Sequence, residues 1–199
     1  MNLFGSHVLD LIVYLLEQKA SRVNAVFRTV QKRTSLIGGI RHITADDVAS
    51  LAIETDNNCL VTVNLNSHAG TFSQDLTITG NEGQLILRNS NLFGRKLDQD
   101  NTKNATEDVL HMDNLTNSQS NANHEDQDEL IPQVYLQAYA KLFDSLKDNL
   151  IGETSGDSDK TLATFEDALH VSEIIWAARQ SFMEKSWCRV VSGVTSGEK

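Results

Sequence analysis

The apolar positions of this chain switch between two rhythms, and the switches mark out its elements. Behind Gly5-Ser6-His7, residues Val8, Leu9, Leu11, Ile12, Val13, Leu15 and Leu16 are apolar nearly all round. This predicts a helix, and a helix with so little polar surface has to be buried between layers. After Ala20 the period falls to two. From Arg22 to Arg33, Asn24, Val26, Arg28 and Val30 alternate with Val23, Ala25 and Phe27, which predicts a strand. Asp46 to Thr55 (Val48, Leu51, Ile53) and Cys59 to Asn66 (Leu60, Val61, Val63, Leu65) read as two more strands around the polar turn Asp56-Asn57-Asn58. Asp75 to Thr79 and Gln84 to Arg88 flank Gly80-Asn81-Glu82-Gly83, where two glycines can supply the positive φ of a tight hairpin. Strands joined by links this short pair antiparallel, because parallel pairing needs a longer, usually helical crossover.

From Asp98 to Glu129 the chain turns to Asn, Asp, Gln and Ser, and only Val109 to Met112 can add a short strand. Most of that stretch cannot repay the entropy of ordering, so about 98–131 reads as a polar insertion. Helical spacing returns at Val134, Leu136, Tyr139, Leu142, Phe143 and Leu146, and again from Thr164 to Met183 through Phe165, Leu169, Ile174, Ile175 and Ala178. Trp187 to Val191 predicts a last strand, with a loose tail over 192–199. A block of strands with helices before and after predicts an α+β fold. The expected architecture is a largely antiparallel open sheet with helices packed on one face, as one domain over 1–199.

Charge excludes more than composition does. Seventeen Lys and Arg against 27 Asp and Glu leave a net charge of −10, which repels phosphate backbones and argues against nucleic acid as a partner. No apolar run approaches the roughly 18 residues of a membrane span. No leader pattern opens the chain, since the run Leu9 to Leu16 lies behind His7 and carries Asp10. The cytoplasm is therefore the default compartment, with secretion of a longer form left open. An apolar helix so near the first residue also suggests a missing upstream part, because chain ends usually fray. Cys59 and Cys188 match neither a metal spacing nor a disulfide framework, and no i, i+4 histidine pair suggests zinc, so no metal is expected.

Three stretches carry a more specific signal. They are Gly5-Ser6-His7-Val8-Leu9-Asp10-Leu11, then Leu76-Thr77-Ile78-Thr79-Gly80-Asn81-Glu82-Gly83-Gln84-Leu85, then Thr164-Phe165-Glu166-Asp167-Ala168-Leu169 running on to Ala177, Ala178, Ser181 and Trp187 to Val191. In order and spacing they resemble the carboxy-terminal domain of the Gfo/Idh/MocA oxidoreductases, most of all the animal glucose-fructose oxidoreductase domain-containing proteins. The first stretch is similar to the family's G-x-H-x-x-D helix start beside the nicotinamide. The resemblance implies an amino-terminal Rossmann domain holding NAD or NADP. A domain like this one then supplies the substrate wall, some catalytic groups and an open sheet for dimerisation. Here no G-x-G-x-x-G stands in a strand–turn–helix context, and the family's E-K-P lysine has no counterpart. The Rossmann domain is thus absent from this chain, which alone is expected to hold no cofactor and to turn nothing over. The expected partners are a second copy, through the open sheet, and a sugar or polyol ligand. The alternative is a non-catalytic homodimeric interaction or ligand-binding module.

Hydride removal from a secondary alcohol leaves a hydroxyl proton to be taken up, a task suited to a group titrating near neutrality. By resemblance His7 is that catalytic group; by itself it reads rather as a histidine capping or packing at a helix start. At such a start the positive end of the helix dipole favours the neutral imidazole. Asp10, three residues on, shares its helix face and is a substrate-binding candidate, or a carboxylate stabilised by the same dipole. His68, where a strand leaves the sheet, is a second substrate-binding candidate, or a solvated loop histidine. One departure stands out. Many active family members have an acidic residue four positions before the histidine, and here that residue is Leu3. Leucine can neither accept a proton nor orient an imidazole, and the neighbouring Asn2 does not titrate, so the resemblance places dehydrogenase activity in doubt.

Overall fold

A computed structural model describes residues 2–30, 45–67, 73–89, 91–96, 106–112, 133–151 and 162–191. In chain order the elements are α1 (Asn2–Leu16), β1 (Ala20–Arg28), β2 (Val48–Thr55), β3 (Leu60–Asn66), β4 (Asp75–Thr79), β5 (Gly83–Arg88), β6 (Asn91–Lys96), β7 (Asp108–His111), α2 (Gln133–Ile151), α3 (Phe165–Glu184) and β8 (Cys188–Arg189). They fall into two compact units, Met1–Gly70 with Lys160–Lys199, and Thr71–Asp159. The fold is α+β with antiparallel sheets, as the periodicity predicts. The strands, however, form two four-stranded sheets, ordered β3-β2-β1-β8 and β4-β5-β6-β7. Within the polar stretch only 106–112 is described, and the tail 192–199 lies outside the described residues.

In the first unit the two-residue period becomes a one-sided core. Val23, Ala25 and Phe27 of β1, Ala49, Leu51 and Ile53 of β2 and Val63 of β3 are buried against Leu9 of α1 and Val171, Ile174, Ala177 and Ala178 of α3. The small side chains of Ala177 and Ala178, fully buried, let α3 lie close on β1. The short β8 pairs only Arg22 and Val23 of β1. Two backbone N–H groups of β1 beyond that pairing are taken by α3 side chains: Ala20 N–H donates to His170 Nε2 (3.0 Å) and Ala25 N–H to Ser181 Oγ (3.1 Å). The opposite face of this sheet is mixed, carrying the Arg22–Glu54 ion pair and the Ser50–Asn64 hydrogen bond beside exposed Val26 and Leu60.

The start of α3 is set by its own sequence. Thr164 Oγ1 accepts from Asp167 N–H at 3.2 Å, while Asp167 Oδ2 accepts from Thr164 N–H at 2.8 Å, a reciprocal capping box. The hydrogen bonds from the Thr164 backbone and hydroxyl hold the Asp167 carboxyl below its ordinary pKa. A carboxyl depressed by folding stabilises above its unfolded pKa, about 3.9 for Asp, and that contribution is lost as pH falls through the lower folded value. Thr164→Ala is therefore expected to cost about 1 kcal/mol at neutral pH. The penalty should shrink in acid, as read from urea unfolding at the two pH values; a pH-independent penalty would refute the carboxylate's part in the cap.

The second unit shows where periodicity misleads. Strand β6 has adjacent Leu92 and Phe93 followed by Gly94, and no alternation announced it. In the β4–β5 turn, Gly80 N–H donates to Gly83 O at 2.9 Å, but neither glycine uses a positive φ. Gly83 is needed for a different reason: a Cβ there would come within 2.5 Å of the Arg95 carbonyl oxygen of β6. In the β2–β3 turn the left-handed residue is Asn58, at φ 60°. The pairing register puts Ile86 and Phe93 on one sheet face, under Arg88 and Arg95, which both reach Glu107. Leu76, Ile78, Leu85, Leu87 and Leu92 share the other face with Leu110, whose side chain lies where a Gly94 Cβ would stand. Leu85 and Leu110 there are exposed.

Candidate functional site

The chain is already helical at Asn2, so Gly5, Ser6 and His7 lie within α1 instead of ahead of it. His7 therefore sits beyond the first turn of α1, not at the helix start. What positions His7 is the burial of its neighbours. Gly5 and Leu9 face inward, which turns His7 outward to an exposed site and leaves Asp10 half-buried beside it. A cavity of about 580 Å³ opens between α1 and α3, lined by Ser6, His7 and Asp10 on one wall and by Ala168, Val171, Ser172, Ile175, Trp176 and Arg179 on the other, with Ala163 at the rim. Neither His7 nor Asp10 has a hydrogen-bond or ion-pair partner among the described residues, whereas Ser6 and Arg179 are engaged in polar interactions.

This arrangement has a definite chemistry. A partner-free imidazole can take a proton from a hydroxyl, and a neighbouring carboxylate can accept hydrogen bonds from adjacent hydroxyls. A larger cleft, about 760 Å³, lies at the other end of α1 beside Lys19, Arg22, Glu54, His170 and Arg189, but several of its polar groups are already used in the fold. Both Glu54 oxygens are taken by Arg22, and the buried His170 holds Ala20 through Nε2 while its Nδ1 lies 3.5 Å from Glu173.

His68 lies outside the described residues, so the structure brings together two of the three site residues expected from sequence. It adds Trp176, Ser172 and Arg179, which the sequence reading did not single out. Their signal was an exposed stripe of α3 at spacings of four and three residues, with a tryptophan in it. No group of three or more His, Cys, Asp or Glu suited to a metal occurs among the described residues. At its α3 end the cleft has no open helix terminus for a dinucleotide's pyrophosphate. The start of α3 reaches its rim at Ala163, but Thr164 and Asp167 satisfy that terminus themselves, and the acidic Glu166 and Asp167 oppose a pyrophosphate there.

Comparison with known proteins bears on the fold and on sequence likeness. Residues 2–86 match the family model described as GFO/IDH/MocA C-terminal domain. Glucose-fructose oxidoreductase domain-containing protein 2 of Mus musculus is 28% identical over 195 residues, 94% of this chain and 48% of the relative. Its protein 1 counterpart in the same species is 27% identical over 92% of this chain and 47% of the relative. The chain therefore spans about half the length of the curated relatives it matches. Among solved structures, levoglucosan dehydrogenase in complex with NADH and L-sorbose superposes with a TM-score of 0.67 at 17% identity, over 96% of this chain and 49% of that one. A super-repressor mutant of Gal80p from Saccharomyces cerevisiae does so at 0.65 and 18%, over 98% of this chain and 50% of that one. One fold thus serves a dehydrogenase and a protein described as a repressor, and does not by itself decide catalysis. The G-x-H-x-x-D helix, the antiparallel sheet under α1 and α3, and these matches point the same way: over residues 2–86 the chain is similar to the carboxy-terminal domain of the Gfo/Idh/MocA oxidoreductases.

Proposed function

We propose that this chain is the substrate-side half of an NAD(P)-dependent oxidoreductase-like protein of the sugar or polyol class, without turnover on its own. The carrying observation is that His7 and Asp10, without a partner among the described residues, face one cleft that opens on the outer side of the helix layer. On that side Leu11, Tyr14, Leu169 and Met183 are also exposed, which suits a cleft whose second wall comes from elsewhere. In this reading His7 takes the hydroxyl proton of a secondary alcohol and Asp10 holds an adjacent hydroxyl. The carboxylate that would orient the histidine is replaced by Leu3, which lowers the expected activity even beside a nucleotide-holding half. The reading treats the two compact units as one working domain.

The test is titration of the purified chain with NADH and NADPH, followed by quenching of Trp176 and Trp187. No saturable response is expected, and a micromolar one would overturn the division of labour. A second reading, the homodimeric module, is favoured by the leucine-rich face of the second unit's sheet. Sedimentation is expected to give a dimer that Leu85→Glu dissociates; a monomer at all concentrations removes the interface.

A further inference from the structure

We infer that Trp176 is a stacking platform that makes the cleft selective for cyclic sugars over open-chain polyols. The inference rests on the reading of the cleft as a sugar or polyol site, and it names which of the two fits. Trp176 is 59% exposed although it lies on a helix whose inner residues are fully buried, and it is the one large exposed hydrophobic among the residues lining the cleft. Its indole N–H has no hydrogen-bond partner among the described residues, and the ring stacks on no other aromatic or cation there. An aromatic side chain with one apolar face and one free donor, opposite an imidazole and a carboxylate, matches an amphipathic ligand. A sugar ring is such a ligand. Its axial C–H groups give a flat apolar face for the indole, while its equatorial hydroxyls point at the rim, toward His7, Asp10 and Ser172. A linear polyol has no fixed face, and ordering its rotatable bonds costs affinity that the same contacts do not return.

The other tryptophan does not share this position. Trp187 follows the end of α3 and does not line the cleft, and the Arg22 guanidinium lies 5.0 Å from its ring centroid. The experiment uses the full chain with Trp187→Phe, so that emission reports Trp176 alone, and titrates methyl β-glucopyranoside against sorbitol while His7 ring protons are followed by NMR. The ring sugar is expected to shift Trp176 emission to the blue and move the His7 signals in one saturable process, with sorbitol about tenfold weaker. In chain with Trp187 intact, Trp176→Ala should weaken the ring sugar by about tenfold and Trp176→Phe far less. Because the side chain is exposed, neither substitution should unfold the protein. Equal binding of the two ligands, or an unaffected Trp176→Ala, overturns the stacking role and leaves the polyol reading intact. Absence of any His7 response to either ligand overturns the substrate-side reading itself, and the stacking role with it.

Discussion

Phe27→Ala is expected to destabilise the first unit by about 3–5 kcal/mol. Phe27 is 3% exposed on β1, the strand that carries α3, and its ring meets Phe182 edge to face at a centroid distance of 5.6 Å and 67°. Alanine would remove the ring from a site hemmed by a sheet on one side and a helix on the other, where collapse to fill the space is limited. The quadrupolar contact with Phe182 would be lost as well, worth about 0.5–1.5 kcal/mol beyond area. A small domain has only about 5–15 kcal/mol in hand, so this one change removes a large part of it. Urea unfolding should show a lower midpoint at an unchanged slope, and Phe27→Leu should keep most of the loss away. A loss in Phe27→Ala no larger than in Phe27→Leu would mean that the ring is not what seats α3 on β1. The effect has a functional reading too. Phe182 is on the same helix as Ser172 and Trp176, so a loosened α3 should also blunt any ligand response at the cleft.

Ser181→Ala is the second large effect, and its cause is polar. Ser181 is 1% exposed; its hydroxyl accepts from Ala25 N–H at 3.1 Å and donates to the Ser186 carbonyl oxygen at 2.5 Å. Alanine fits the space but orphans both backbone groups, each at a cost of about 1–3 kcal/mol. β8 pairs with β1 at Arg22 and Val23, so among the described residues no neighbouring strand stands ready to take over Ala25 N–H. Amide exchange is the sharpest measurement: Ala25 should lose protection beyond the global change, whereas Phe27→Ala should lower all core amides together. A stability change under about 0.5 kcal/mol, the range of ordinary surface substitutions, would show that water or a backbone shift satisfies the two groups.

Much of this was readable from residue order because local spacing reports which side of an element meets a core. The alternation through Val23, Ala25 and Phe27 located the start of β1, and the helical spacing from Thr164 onward located the start of α3, each to within two residues. The extent of β1 was overread. It ends at Arg28, and Val30 N–H turns to the Asp47 carboxylate, since alternation in sequence does not by itself supply a strand partner. Strand β6 was unreadable because its pattern is broken by Gly94, which makes room for Leu110 from β7, a neighbour remote in sequence. Gly83 was identified as special for the wrong reason, since its constraint is the approach of the β6 backbone and not a turn angle.

The site divides along the same line. His7 and Asp10, three apart on one helix, are placed together by helical geometry alone, so residue order was sufficient to pair them. Trp176 is more than 160 positions away, and spacing carries no information over that separation. It joins His7 because α3 folds back on the sheet beside α1, held by Ala177 and Ala178 against β1 and by Ser181 on Ala25. Residue order by itself determined most of the elements, the likeness to a known carboxy-terminal domain and the pairing of His7 with Asp10 on one helix face, all properties of short segments. Only tertiary packing decided which sheet face is bare, where the cleft opens and what lies opposite the histidine, because those depend on burial between segments that meet only once the chain has folded.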